Sequence, residues 1–296
     1  MRFGLLSPVV VQLPGTAATW EKTAGADDLA TIAEHADLLG YHHLTCSEHV
    51  GVPSEIAATR GSVYWDPLAT LSYLAARTRH IRLVTNVLVL GYHHPLALAK
   101  SYGTLDLLSG GRVVLGVGVG SLREEFDLLG APFDNRGERA DDALRALRAA
   151  WGRHRPRYQG DHYAFDDIVV TPCAPRTDVA FWVGGRTRRS LRRAVELGEG
   201  WMPFGLSPGR VRALLGTVDP PPRFDVVLQP GALDPLGDPA ATLHTVAEAE
   251  QAGATMLNAR FVHHDLRHLL AQLTALTELF PSAGWARTTR ATQEVP

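Results

Sequence analysis

Eight times along this chain a short apolar run gives way to a stretch of helical periodicity, and that alternation restricts the fold more than any other feature. The runs occupy residues 2–12, 41–50, 81–90, 113–120, 179–184, 200–205, 223–229 and 254–261. The stretches between them carry helix start and stop signals: Asp27 and Asp28 put negative charge in a first turn that Gly40 later ends, and Asp66 precedes Pro67 as an N-cap precedes a first helical residue. Strands alternating with helices imply a parallel sheet, and run 81–90, almost wholly apolar, suits a strand covered on both faces. Eight such units in 296 residues imply an α/β fold, a (β/α)8 TIM barrel. Residues 155–178, rich in aromatics, Pro and Asp, have no helical period and read as an excursion inserted after strand four.

No linker or shift of composition divides the chain, so residues 1–281 are expected to form one domain and the polar, aperiodic 282–296 a C-terminal tail. A formal net charge of −2 offers no basic excess for phosphate contacts, which argues against nucleic acid or an anionic membrane as partner. Two cysteines, Cys46 and Cys173, do not amount to a disulfide framework and suit a reducing cytoplasm. The opening MRFGLLSPVVVQLPG is too short to span a bilayer, shows no small-residue cleavage pattern, and reads as a first strand.

In a TIM barrel the active site gathers at the C-terminal ends of the strands, so the residues that close each apolar run are the candidates. Glu48 and His49 follow the second run and pair a carboxylate with the side chain best suited to proton transfer near neutral pH; a solvated loop pair is the alternative. Thr85 and Asn86 are polar residues within the third run, and a buried amide there needs partners from the core or from a heteroaromatic ligand. Gly116, Gly118 and Gly120 fall on one face of the fourth strand, either for tight packing or for close approach of a ligand to the backbone. A dinucleotide fingerprint fails on spacing, because its third glycine falls at Ser121 or Arg123. Gly184, Gly185, Arg186 and Thr187 lie between a strand and a helix start, where backbone N–H groups, the helix dipole and arginine charge (Arg186 or Arg188) make an anion site; an ordinary solvated turn is the alternative. Trp201 and Met202 close the sixth run.

The 13 histidines include three adjacent pairs, His42/His43, His93/His94 and His263/His264. Neighbours in a strand face opposite ways, and neither HExxH nor a Cys/His cluster occurs, so no metal is expected.

The segment 66–151, from DPLATLSYLAARTRHIRLVTNVLVL through SGGRVVLGVGVGSLREEFDLLG to RALRAAW, resembles the luciferase-like monooxygenase superfamily. Its pattern is most similar to the branch that uses the deazaflavin coenzyme F420, and VGGRTRRSLRRAVELGEGWMP resembles that family's phosphate-binding segment. The resemblance implies a ring lying over Thr85, Asn86 and Val87, with a non-proline cis peptide at Asn86–Val87. Gly118, Gly120 and Ser121 would line the ring's edge, Gly184, Gly185, Arg186 and Thr187 would hold the phosphate, and Trp201 and Met202 would complete the cofactor bed. It implies hydride transfer between F420 and a small organic substrate, by reduction of C=C or C=N or by alcohol oxidation, with His49 as acid/base and Glu48 orienting it. An FMN-dependent monooxygenase and a non-catalytic flavin-binding protein are the alternatives, and a homodimer is expected. Deazaflavin relatives more often carry Asp-His where this chain has Glu48-His49. Their sugar-phosphate dehydrogenases carry a Glu where it has Ser121, which argues against a sugar phosphate as substrate. Segments 51–64 and 155–178 would set the substrate, with Tyr64, Trp65, Tyr158, Tyr163 and Phe165 either walling a pocket or packing the excursion down.

Overall fold

Alternation of side chains along each strand sorts the residues into two layers, and a closed barrel is what that sorting builds. In the computed structural model, which describes residues 1–285, the barrel strands are β1 (Arg2–Leu5), β2 (His43–Cys46), β3 (Arg82–Thr85), β4 (Val113–Gly118), β5 (Phe181–Gly184), β6 (Gly200–Met202), β7 (Asp225–Leu228) and β8 (Met256–Ala259). Each pairs in parallel with its sequence neighbours, and β8 pairs with β1, which closes the ring. The outer helices are α1 (Ala26–Leu39), α2 (Pro67–Arg77), α3 (Pro95–Leu108), α4 (Arg136–Ala150), α5 (Arg188–Leu197), α6 (Pro208–Leu215), α7 (Pro239–Gln251) and α8 (Leu266–Leu279).

Val84, Val114, Trp182, Met202, Val227 and Met256 form a cluster of their own, as the filling of a barrel does. Their strand neighbours Leu83, Leu115, Val183 and Leu257 belong to the larger core shared with the helices. The helix ends follow their sequence signals. Gly40, at φ 83°, ends α1 in the left-handed conformation, and the Asp66 side chain caps α2 ahead of Pro67 by accepting the Ala69 N–H. The excursion between α4 and β5 holds a small hairpin, Tyr158–Gln159 with Ala164–Phe165. Its far end is tied to the barrel by Arg176, which bonds the buried Asp106 carboxylate and the Val113 carbonyl. No helix among the described residues is long and apolar enough to cross a membrane.

Two expectations about the strands need correction, and two short helices were not foreseen. The first run is two elements: β1 stops at Leu5, and after the Ser7–Pro8 corner Val11–Gln12 pairs antiparallel with Val63–Tyr64 from the loop after β2. That loop also winds a short helix, Ser54–Arg60. The third run leaves the barrel after Thr85, passes a cis peptide at Asn86–Val87, and resumes as Leu88–Val89 beside Val117 and Gly118. Beyond β4 a short helix, Arg123–Leu128, forms where no helix was expected. Of the tail, Trp285 stacks on Phe3 and packs against Tyr41, with its indole N–H donated to the Phe280 carbonyl. The remainder of the tail, 286–296, lies outside the described residues.

Candidate active site

A cavity of ≈ 1130 Å³ opens at the C-terminal ends of the strands. That exceeds the usual volume of a pocket for one drug-sized ligand, about 300–1,000 Å³, and leaves room for a long cofactor and a second molecule.

One wall is built by an interrupted strand fitted against glycines. After β3 the backbone at Asn86–Val87 turns out of the ladder, and both residues line the cavity. The Asn86 carbonyl accepts the Ser47 hydroxyl at 2.6 Å, and its N–H donates to the Cys46 carbonyl at 2.7 Å. A Cβ at Gly118 would meet Val87 Cγ2 at 2.6 Å, and one at Gly184 would meet Val87 Cγ1 at 2.8 Å. The two glycines therefore make a slot for the Val87 side chain, so only backbone can stand there. A Cβ at Gly116, one inward position deeper, would overlap the Thr85 carbonyl oxygen, which keeps that glycine a packing residue.

Facing this wall is a histidine held by a carboxylate distant in sequence. His49 Nδ1 lies 2.7 Å from Glu125 Oε2. Glu125, on the short helix after β4, also accepts the Tyr92 hydroxyl at 2.8 Å and the Val50 and Gly51 N–H groups at 2.8 and 3.3 Å. Burial alone would raise the Glu125 pKa. The hydrogen bond and charge of His49, with the Tyr92 and Gly51 donors, outweigh it and hold the carboxyl below its ordinary value. The Tyr64 ring packs edge-on against His49 at 4.4 Å. With Nδ1 committed, Nε2 is the nitrogen left for a ligand.

Glu48 does not orient His49, contrary to expectation. Its carboxylate accepts the Val89 N–H at 2.6 Å and meets His93 Nε2 at 2.7 Å, so it props the resumed strand instead. Glu125 makes the Nδ1 contact that was expected of Glu48; the sequence signal that could have found it is the acidic pair Glu124–Glu125 just beyond a strand end.

On the far side, Gly184, Gly185, Arg186 and Thr187 line the cavity where β5 turns into α5. Thr187 caps α5 by accepting the Ser190 N–H, while Ser190 Oγ accepts the Thr187 N–H at 3.1 Å. Gly185, at φ 126°, lies in a region that side chains avoid. Arg136 and Arg189, not singled out in the sequence, line the cavity beside this turn; Arg188 does not. Arg136 is aimed by its Nε–H bond to the Gly120 carbonyl at 3.2 Å and by stacking over Phe133. The local surplus of guanidinium groups at a helix N-terminus suits a phosphate or carboxylate group.

The family comparison agrees with this geometry: a family model described as luciferase-like monooxygenase matches residues 1–293. The chain belongs to that family. Two solved structures share its fold. A monooxygenase of Streptomyces bottropensis superposes with a TM-score of 0.74 at 21% identity, covering 95% of this chain and 99% of its own. An F420-dependent secondary alcohol dehydrogenase, solved with an F420–acetone adduct, superposes with a TM-score of 0.73 at 14% identity, covering 95% of this chain and 98% of its own. By sequence, an F420-dependent glucose-6-phosphate dehydrogenase of Amycolatopsis mediterranei is 30% identical over 150 residues, 49% of this chain and 44% of that protein.

Within this luciferase-like barrel the other expected residues divide cleanly. Gly118, Gly120, Ser121 and Met202 reach the cavity, with the Ser121 hydroxyl accepting Arg60 Nη2–H at 2.9 Å. Thr85 and Trp201 do not; they stand behind the wall. Thr85 donates its hydroxyl to the Gly116 carbonyl, and the Trp201 indole donates to the Gly185 carbonyl at 3.0 Å, bracing the turn from beneath. Burial pushes the Cys46 thiol up to about 12, which keeps it an inert core group. Among the described residues no group of three or more His, Cys, Asp or Glu could hold a metal ion.

Proposed function

We propose that this protein is a coenzyme F420-dependent oxidoreductase that moves a hydride between the deazaflavin and a small organic substrate. The observation that carries this reading is the His49–Glu125 pair facing the Asn86–Val87 backbone wall in one cavity. The residues present fit the cofactor. The slot of Gly118 and Gly184 keeps Val87 out of the way of a flat ring, and the basic turn at Gly184–Thr187 suits an anionic tail. The named dehydrogenase relative, similar over about half the chain, supports the same cofactor.

When bound, the deazaflavin supplies the hydride chemistry. The chain supplies the proton. In alcohol oxidation His49 Nε2 takes the hydroxyl proton as the C–H hydride leaves; in reduction of a C=C or C=N bond it returns a proton to the atom left negative. Glu125 holds the imidazole through Nδ1, and the edge-packed Tyr64 limits the ring's rotation. Ser121 offers no carboxyl for a second proton transfer, which disfavours a sugar phosphate as substrate.

Fluorescence titration of the purified protein with F420 and with FMN tests the proposal. F420 is expected to bind at least about tenfold tighter, a difference of roughly 1.4 kcal/mol, and to be reduced or reoxidised in the presence of alcohols or activated alkenes and imines. Tight FMN binding with oxygen consumption overturns it in favour of a monooxygenase, and binding of either cofactor without turnover overturns it in favour of a non-catalytic flavin binder.

A further inference from the structure

The cavity wall beyond β8 carries a second histidine–glutamate pair that proton transfer at His49 does not use. His263 and Glu21 both line the cavity, with side chains only 6% and 3% exposed. Glu21 is held from behind: its Oε2 accepts the Val9 N–H at 2.8 Å and its Oε1 the Ala18 N–H at 2.7 Å. Val9 itself sits at φ 70°, a conformation that a β-branched residue keeps only where its surroundings over-determine it. Trp20 Nε1–H donates to His263 Nδ1 at 2.9 Å. An indole can only donate, so Nδ1 is the acceptor and the neutral ring carries its proton on Nε2. Burial pushes His263 below the ordinary histidine range, outweighing the opposing pull of Glu21, and so favours that neutral form.

His263 Nε2 and Glu21 Oε1 stand 3.7 Å apart, too far to bond each other. A fixed donor and a fixed acceptor thus lie side by side on the cavity wall, and an oxygen about 2.8 Å from each would satisfy both.

We propose that His263 and Glu21 form a hydroxyl-reading subsite of this cavity: a ligand alcohol accepts from His263 Nε2 and donates to Glu21 Oε1, while Trp20 keeps the donor in place. A group that is donor and acceptor at once satisfies both partners. A carbonyl leaves a lone pair against the carboxylate, and an ammonium leaves a hydrogen against the imidazole N–H. The hydroxyl belongs to the cofactor's side chain or to the substrate. The subsite deepens the oxidoreductase reading and rests on it for the claim that this cavity holds such ligands.

Binding measurements separate the two sources. Riboflavin and lumiflavin share a ring and differ in the hydroxylated side chain; glycerol and isopropanol, titrated into the cofactor-loaded protein, differ in their spare hydroxyls. The wild type is expected to prefer the hydroxylated member of one pair by about tenfold in Kd, and His263→Phe to reduce that preference to near unity at unchanged Tm. Collapse in the flavin pair assigns the hydroxyl to the cofactor, and collapse in the alcohol pair assigns it to the substrate. If His263→Phe does not fold, Trp20→Phe, which releases Nδ1 and keeps the imidazole, carries the test with a smaller expected loss. A wild type with neither preference, or a folded variant that retains it, overturns the proposal. The flavin pair reports on the subsite whichever flavin-like cofactor the protein uses, so failure of the F420 reading is distinguishable from failure of this one.

Discussion

Glu48 and His49 are adjacent in the chain and belong to different machines. Both line the cavity, but His49 finds Glu125, whereas Glu48 spends both oxygens on Val89 and His93. One pair leaves a nitrogen free for a ligand. The other fastens the strand that resumes after Asn86–Val87. Two acid–imidazole contacts of the same length, 2.7 Å, therefore differ in placement: only one of them leaves its imidazole on the cavity wall.

The largest effect is expected at His49. His49→Ala is expected to lower turnover by about 100-fold or more, the usual scale of a lost general acid/base, while cofactor Kd stays near wild type. Unchanged turnover in steady-state kinetics would remove His49 from the chemistry. On the framing side the largest effect belongs to Gly118→Val. Its side chain must displace Val87 from the slot, at a cost of about 2 kcal/mol or roughly 30-fold in cofactor Kd. Titration of the variant at a temperature where circular dichroism shows it folded reads that loss, and wild-type affinity would reduce the glycine strip to plain packing.

Glu125→Gln should fall between the two pairs, because Glu125 both positions His49 and receives the Val50 and Gly51 N–H groups. A loss of about tenfold in kcat is expected, together with about 1–3 kcal/mol of stability. The pH dependence has a definite sign. The folded-state carboxyl titrates below its unfolded value, so its contribution is complete above about pH 4.3 and is lost as pH falls through the folded-state pKa. Thermal melts of wild type and variant should therefore differ most at neutral pH and converge in acid; a constant gap would refute the ionised role of Glu125.

Much of this was legible in the chain. Eight apolar runs and their helix caps specified the barrel, and the rim rule placed His49, Asn86 and the Gly184–Thr187 turn on the cavity that the structure shows. What escaped is long-range pairing. Glu125 meets His49 across 76 positions, and Glu21 meets His263 only because β8 closes on β1. Local pattern carries periodicity and capping; it does not carry which of two neighbouring carboxylates turns inward, nor that an apolar run such as 81–90 leaves the ladder halfway. Thr85 and Trp201 show the converse, for their rim positions were evident while their burial behind the wall was not.

The smallest effect is expected at His93. Its side chain is 32% exposed and offers Glu48 one of that carboxylate's two contacts. In His93→Ala the Val89 N–H still holds Glu48 Oε2 at 2.6 Å, and water can replace the lost imidazole at the exposed edge. Stability should drop by less than about 1 kcal/mol, and kcat and cofactor Kd should stay within about twofold, a difference of roughly 0.4 kcal/mol. Parallel denaturation and kinetics on His49→Ala and His93→Ala would then show one variant losing chemistry and the other losing little of either chemistry or stability. A fall in kcat for His93→Ala comparable to that for His49→Ala would mean that the Glu48 pair reaches the reacting atoms through the Asn86–Val87 wall, and the division between the two machines would be wrong.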